Sequence, residues 1–302
     1  MSIAGMPADI AQRIRERGPA LDLELAQRLY LPLLARQERA GVATTRDVVY
    51  GPDERHRLDV YQPAIPTAPG HPVLVFFHGG GFVRGDKSHR DNIGYHFARH
   101  GCLVVIPNYR LAPAHRWPAG AEDVIRACQW ARTHGAEYSG DPSLIFLAGE
   151  SAGAAHVAAA SLVRRFHPPE GLRAAGVLLI SGVYNVQLER LARRQFGIAT
   201  PDPRNEAYFG ADPASYPGMS TLALIDAPPL PLWMSFAQLD LLQMQVQAGE
   251  LFGRLVCDHG FSPDLRVIPS HNHLTQVHAV NTGDESLSGP MLEFMRAWSR
   301  RR

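Results

Sequence analysis

Cysteine is scarce in these 302 residues, with Cys102, Cys128 and Cys257 the only three. They lie in separate apolar stretches, odd in number and without metal-ligand spacing. That pattern excludes a disulfide framework or a zinc site and suggests buried thiols in a reducing compartment. Net charge is nearly absent, at +1. A chain so balanced, with 45% hydrophobic residues, is neither disordered nor built to hold nucleic acid or an anionic membrane surface. No apolar run approaches membrane-spanning length. The stretch Met1 to Ala20 carries Asp9, Arg13, Arg15, Glu16 and Arg17 and lacks an unbroken apolar core, so it does not read as a signal peptide and a cytoplasmic location is expected. Internal repeats and low-complexity tracts are missing. So are the phosphate loop G-x-x-x-x-G-K-S/T and the dinucleotide fingerprint.

What is present is alternation. Val73 to Phe77 and Cys102 to Ile106 are unbroken β-branched and aromatic runs, the mark of strands buried on both faces, and Leu144 to Ala148, Ala175 to Ile180, Leu230 to Phe236 and Leu265 to Pro269 read as further strands. Helical segments separate them, around 92–100, 120–133, 152–160, 241–259 and 289–300. This specifies a mostly parallel sheet covered on both sides. Ahead of it, Thr44 to Tyr61 alternates around the turn signal Gly51-Pro52-Asp53 and predicts an antiparallel edge hairpin. Residues 21–40 repeat at helical spacing, with Pro32 expected to break or kink the segment into two helices. Tyr184 to Pro228 departs from the alternation. It is rich in proline and carries Phe196, Tyr208, Phe209 and Tyr216, and so long an excursion is assigned to a cap.

The centre of the pattern is Gly149-Glu150-Ser151-Ala152-Gly153, where an apolar strand meets a small-residue helix. Glycines on both sides allow a sharp turn that lifts the Ser151 hydroxyl into the open, and the helix that follows directs its free N–H groups at any developing negative charge. A serine needs a base, and the base needs an orienting carboxylate. In an open parallel sheet such groups collect after the carboxyl ends of the strands. Two loops qualify: Gln238-Leu239-Asp240, and Ser270-His271-Asn272-His273. For Asp240 the competing reading is a helix N-cap.

Together with His78-Gly79-Gly80-Gly81-Phe82 and Asn108-Tyr109-Arg110-Leu111-Ala112-Pro113, these residues resemble the hormone-sensitive-lipase-like esterases of the α/β-hydrolase fold. The resemblance runs from about residue 44 to the end. It implies a single α/β-hydrolase domain over 1–302 with helical cap segments at 1–43 and 184–228, and a serine carboxylesterase that needs no cofactor or metal. Its partner would be a small-molecule ester, and the final strand and helix would be a homodimer surface. Ser151 would be the nucleophile, Asp240 the orienting acid and His273, followed by Leu274, the base. His271 sits closer to the strand end and competes for that role, with His278 third. The N–H groups of Gly80, Gly81 and Ala152 would form the oxyanion hole, and His78 would shape the glycine loop. Phe82, Trp117, Tyr184 and Tyr208 are the candidate walls of the substrate pocket. Two positions depart from the family pattern: Ala114 replaces a common acidic residue, and Leu241 stands where proline often follows the aspartate. An arylformamidase with the same machinery is the alternative activity, and a non-catalytic receptor on the same fold is the reading from another class.

Overall fold

The computed structural model describes residues 5–37, 39–65, 70–188, 203–227 and 230–300. Parts of the two cap segments, including 189–202 with Phe196, lie outside the described residues. Eight strands form one sheet in the order β1-β2-β4-β3-β5-β6-β7-β8. They are β1 (Val42–Val49), β2 (Arg57–Pro63), β3 (His71–Phe77), β4 (Leu103–Pro107), β5 (Gly140–Glu150), β6 (Gly176–Ile180), β7 (Leu232–Leu239) and β8 (Asp264–Asn272). β1 and β2 are the expected edge hairpin, β2 meets β4 antiparallel, and every pairing from β4 to β8 is parallel.

Side chains alternate along each central strand and so feed two cores. Val73, Val75, Phe77, Leu147 and Leu179 pack against α4 (Ala119–His134), α5 (Ala152–Leu162) and α6 (Leu242–His259). Leu74, Phe76, Phe146, Ala148 and Leu178 pack against α3 (Asp91–Arg99) and α7 (Ser288–Ser299). All ten of these strand residues are buried, and for this reason the unbroken apolar runs of the sequence carry no polar alternation. At the hairpin end the chain's single lysine, Lys87, is buried between Asp47 and Asp59, 2.7 Å from each. A charge that far from water persists only when paired in this way.

The amino-terminal helices are α1 (Ala8–Arg17) and α2 (Leu23–Leu34). Ile10, Ile14, Leu25, Leu29 and Tyr30 form their own apolar cluster with Ala279 near the carboxyl end of the sheet. Asp22 caps α2 by accepting the Leu25 N–H at 2.9 Å. Pro32 does not divide this segment into two helices as its chemistry suggested; it lies in the last turn, close to where the helix ends anyway. One cysteine also differs from expectation. Cys102 and Cys128 are buried, whereas Cys257 is exposed, because α6 turns Ala248, Leu251 and Leu255 inward and Cys257 falls on the opposite side.

Candidate active site

Ser151 stands between β5 and α5 with φ +51° and ψ −118°, outside the regions a serine ordinarily adopts. The strain is held from several sides. Its N–H donates to the Ile180 carbonyl at 2.8 Å, and its carbonyl accepts from Ala155 at 3.1 Å. A side chain on Gly153 would bring its Cβ within 2.2 Å of the Phe77 carbonyl oxygen, and one on Gly149 within 2.5 Å of Gly153. Only glycine lets β5, β3 and α5 approach so closely.

β7 ends at Leu239 and delivers Asp240, and β8 ends at Asn272 and delivers His273. His273 Nε2 is 3.0 Å from Ser151 Oγ, and its Nδ1 is 2.7 Å from Asp240 Oδ1. Asp240 is fully buried and His273 nearly so. The Asp240 carboxylate also accepts the Leu241 N–H at 2.8 Å, a bond that a proline at 241 could not donate. The helix N-cap role does not materialise: the cap position of α6 is Leu241, with no side-chain cap bond.

His271, the competing histidine, points elsewhere. Its Nε2 is 3.1 Å from Asp284 Oδ2 and 3.0 Å from Ser286 Oγ, and Nδ1 is 3.2 Å from Thr275 Oγ1. β8 runs further than expected, so His271 is its penultimate residue rather than part of the loop. An unbroken strand would place residues 271 and 273 on one face, but β8 ends at Asn272 and His273 lies beyond it, so the two rings reach different neighbours. His278 is buried and its Nδ1 donates to the Leu274 carbonyl at 2.8 Å; burial, with Arg90 nearby, pushes it down to about 4.

A cleft of about 1190 Å³ opens onto Ser151 and His273 and is lined by Gly79, Gly80, Gly81 and Phe82 of the glycine loop. Among the described residues no protein acceptor takes the N–H of Gly80, Gly81 or Ala152. His78 Nδ1 lies 2.7 Å from the Gly79 carbonyl, and its ring stacks on Tyr109, whose hydroxyl donates to the His78 carbonyl at 2.8 Å. Burial pushes His78 down to about 4, so it stays neutral at ordinary pH.

Glu150 was not foreseen as part of this arrangement. Its carboxylate accepts the Gly79 N–H at 3.0 Å and pairs with Arg90 Nε, tying the glycine loop to the serine turn. Full burial would raise its pKa, but Arg90 and the Gly79 N–H outweigh that and hold it below the usual range. Its position beside the serine was the only signal available, and Arg90 lies sixty residues away in the chain.

Of the four expected walls, Phe82 lines the cleft. Tyr208 stacks behind Phe82 at 4.7 Å with its hydroxyl accepting the Gly120 N–H, so it supports the wall rather than forming it. Tyr184 is buried, its hydroxyl accepting the Gly182 N–H, and Trp117 borders a separate groove of about 630 Å³. The apolar lining comes instead from Leu21, Leu23, Leu31 and Leu34 of the amino-terminal segment, with Val183 and Met244. An amphipathic helix gives no sign in sequence of which groove it will overlie.

A family model described as alpha/beta hydrolase fold matches residues 74–273. Esterase LipI of Mycobacterium tuberculosis is 40% identical over 94 residues, which are 31% of this chain and 29% of that protein. The acetyl esterase of Salmonella schwarzengrund is 34% identical over 133 residues, 44% of this chain and 41% of that protein. The chain thus spans less than half the length of these curated relatives. Among solved structures, an inhibited esterase B from Lactobacillus rhamnosis matches with a TM-score of 0.76 over 97% of each chain at 18% identity, a likeness of fold.

Proposed function

The chain belongs to the α/β-hydrolase-fold family, and from that premise we propose that it is a serine carboxylesterase acting on small to medium carboxylic esters through an acyl-enzyme intermediate. One observation carries the reading: a strained, half-buried serine on the cleft, within 3.0 Å of an imidazole that is itself 2.7 Å from a buried carboxylate. As an ester carbonyl enters the cleft, His273 Nε2 takes the proton from Ser151 Oγ while the oxygen attacks. Asp240 holds the Nδ1–H tautomer and stabilises the imidazolium that forms. The N–H groups of Gly80, Gly81 and Ala152 donate to the former carbonyl oxygen as negative charge develops on it, each worth roughly 3 to 4 kcal/mol in the transition state. Collapse of that intermediate expels the alcohol, which receives its proton from His273. Water then attacks the acyl group by the same route and frees the acid and Ser151. Every step is proton transfer and acyl transfer, for which these side chains suffice.

Residues 1–43 and 184–228 act as the cap in this reading. In support, Leu21, Leu23 and Leu31 border the cleft from one side and Pro203, Arg204 and Asn205 from another. The reading also includes a cytoplasmic location and a homodimer across β8 and α7. In support of the latter, β8 is an edge strand with Val267 exposed. No helix among the described residues is long and apolar enough to cross a membrane. The arylformamidase alternative gains nothing from the relatives above, which are named as esterases.

The test is turnover of an aryl butyrate and of N-formylkynurenine by the wild type and Ser151→Ala. Hydrolysis of the ester by the wild type and its loss in a folded variant is expected. Undiminished ester turnover by Ser151→Ala, or a preference for the formamide, overturns the reading.

A further inference from the structure

β6 runs between the strand that carries Ser151 and the strand that leads to Asp240, and its last residue is followed by Ser181. Ser181 is buried and has φ +49°, a left-handed conformation that a serine adopts only when its surroundings enforce it. Its N–H stays on the sheet ladder, donating to the Ser235 carbonyl at 2.8 Å. The side chain is thereby turned toward Asp240, with Oγ 2.5 Å from Oδ2.

The direction of that bond follows from a third residue. Gln276 Nε2 is 2.7 Å from Ser181 Oγ and 3.3 Å from the His273 carbonyl oxygen. A carbonyl can only accept, so the amide group facing it is the NH₂, and Ser181 Oγ is the acceptor of the other bond. The one hydroxyl proton of Ser181 is therefore committed to Asp240. The carboxylate then has two donors on each oxygen: His273 Nδ1–H and Leu241 N–H on Oδ1, and Ser181 Oγ–H and Ala237 N–H, at 3.1 Å, on Oδ2. With no exposed surface, it takes no support from solvent.

We infer that Ser181 is a positioning residue for the Ser151–His273–Asp240 set: its hydroxyl fixes the rotation of the Asp240 carboxylate and, by drawing charge from it, sets how tightly the protonated imidazole is held. The inference rests on the esterase reading of those three residues. A carboxylate with one donor fewer attracts the imidazolium proton more strongly. His273 then stays protonated to higher pH and passes its proton to the leaving alcohol less readily.

Facing this carboxylate are His273 from the loop after β8 and Tyr184 from the loop after β6; burial keeps the Tyr184 phenol far above its usual pKa. Around the serine turn lie Glu150, held ionised beside Arg90, and His278, held down at about 4. His89 lines the same cleft. The difference between variant and wild type, rather than the absolute position of the rate profile, is therefore the readout.

The experiment compares wild type, Ser181→Ala, Ser181→Gly and Ser181→Cys on 4-nitrophenyl butyrate, with rates normalised to sites titrated by an aryl phosphonate. Alanine and glycine both remove the hydroxyl, but glycine accepts φ +49° without strain. Both are expected to lower kcat about tenfold with KM within about twofold, as for a lost hydrogen bond to a charged group. Both should move the acid limb of the kcat/KM profile to higher pH and shift the far-downfield proton resonance of His273 Nδ1–H. Cysteine, a weak donor, should recover part of each change. Wild-type kcat and acid limb in Ser181→Gly would overturn the inference. So would a loss of kcat with limb and resonance unmoved, which marks a structural role only. Should the Ser181 variants not fold, Gln276→Leu reaches the same hydroxyl from its other side, and an unchanged limb and resonance there overturns it equally. Retained turnover in Ser151→Ala is a separate result that removes the triad itself.

Discussion

Gly80→Ala isolates the glycine loop from the rest of the machinery. A Cβ built on Gly80 would lie 1.8 Å from the carbonyl oxygen of Arg84, and the backbone there has φ +145°, which side chains other than glycine's do not tolerate. Contacts under 3.0 Å are not sustained, so the loop between His78 and Gly85 has to open by more than 1 Å. Displacing one proposed oxyanion donor by that distance is expected to cost roughly 10²- to 10³-fold in kcat, by analogy with removal of a single such donor or a misplacement of about 1 Å. The loop borders the cleft rather than either core, so the thermal midpoint should fall far less than for a change within the sheet. The assay is steady-state hydrolysis of 4-nitrophenyl butyrate, normalised by phosphonate titration, alongside a thermal melt. A folded, titratable Gly80→Ala enzyme with kcat within about threefold of wild type would refute the proposed role of the loop.

Three other expectations separate chemistry from support. His271→Ala breaks a buried network with Asp284, Ser286 and Thr275; it should cost about 1 to 3 kcal/mol of stability while leaving kcat per folded enzyme near wild type, and loss of turnover comparable to His273→Ala would contradict the assignment. Arg90→Ala strands the Glu150 carboxylate inside the protein and should destabilise by about 3 to 5 kcal/mol in denaturant titration, with Glu150→Gln on the same background restoring part; no recovery would mean that Arg90 acts through packing alone. Burial pushes His78 and His278 down to about 4 and His96 and His156 to about 3, against 6.5 for an ordinary histidine. Because these folded-state values lie below the unfolded ones, the stability they contribute is complete above about pH 6.5 and is lost as pH falls toward about 4, at roughly 1.4 kcal/mol per pH unit for each proton taken up. The melting temperature should therefore drop steeply over that window and less steeply in His156→Phe; a flat profile would contradict the burial argument.

The centre of the sheet was legible because strands such as β3 and β4 are buried on both faces, which leaves runs such as Val73 to Phe77 without polar alternation. The serine turn was legible because Gly149 and Gly153 are demanded by backbone contacts within a few residues of Ser151. Chain order and strand ends led to Asp240 and to a loop with two histidines, and the preference for His273 over His271 came from the resemblance, through the Leu274 that follows it. What sequence concealed is chiefly long-range. Nothing in Ser181-Gly182 announces a partner at Asp240, although a polar residue closing the strand beside the nucleophile's own strand was a signal that could have been read. Aromatic type alone did not say which rings face the cleft, since Tyr184 and Tyr208 spend their hydroxyls on backbone N–H groups inside the core. Pro32 was misjudged because proline's effect depends on its distance from a helix end, which the periodicity of residues 21–40 did not fix.

The central claim is that Ser151 is made nucleophilic by His273 and Asp240. Its most direct test is intact-mass and peptide mapping after reaction with an aryl phosphonate, run on the wild type, His273→Ala and Asp240→Asn. The account requires a single adduct, on Ser151, formed rapidly by the wild type, orders of magnitude more slowly by Asp240→Asn and not detectably by His273→Ala. An adduct on another residue, or Ser151 labelled at the wild-type rate without His273, would contradict it.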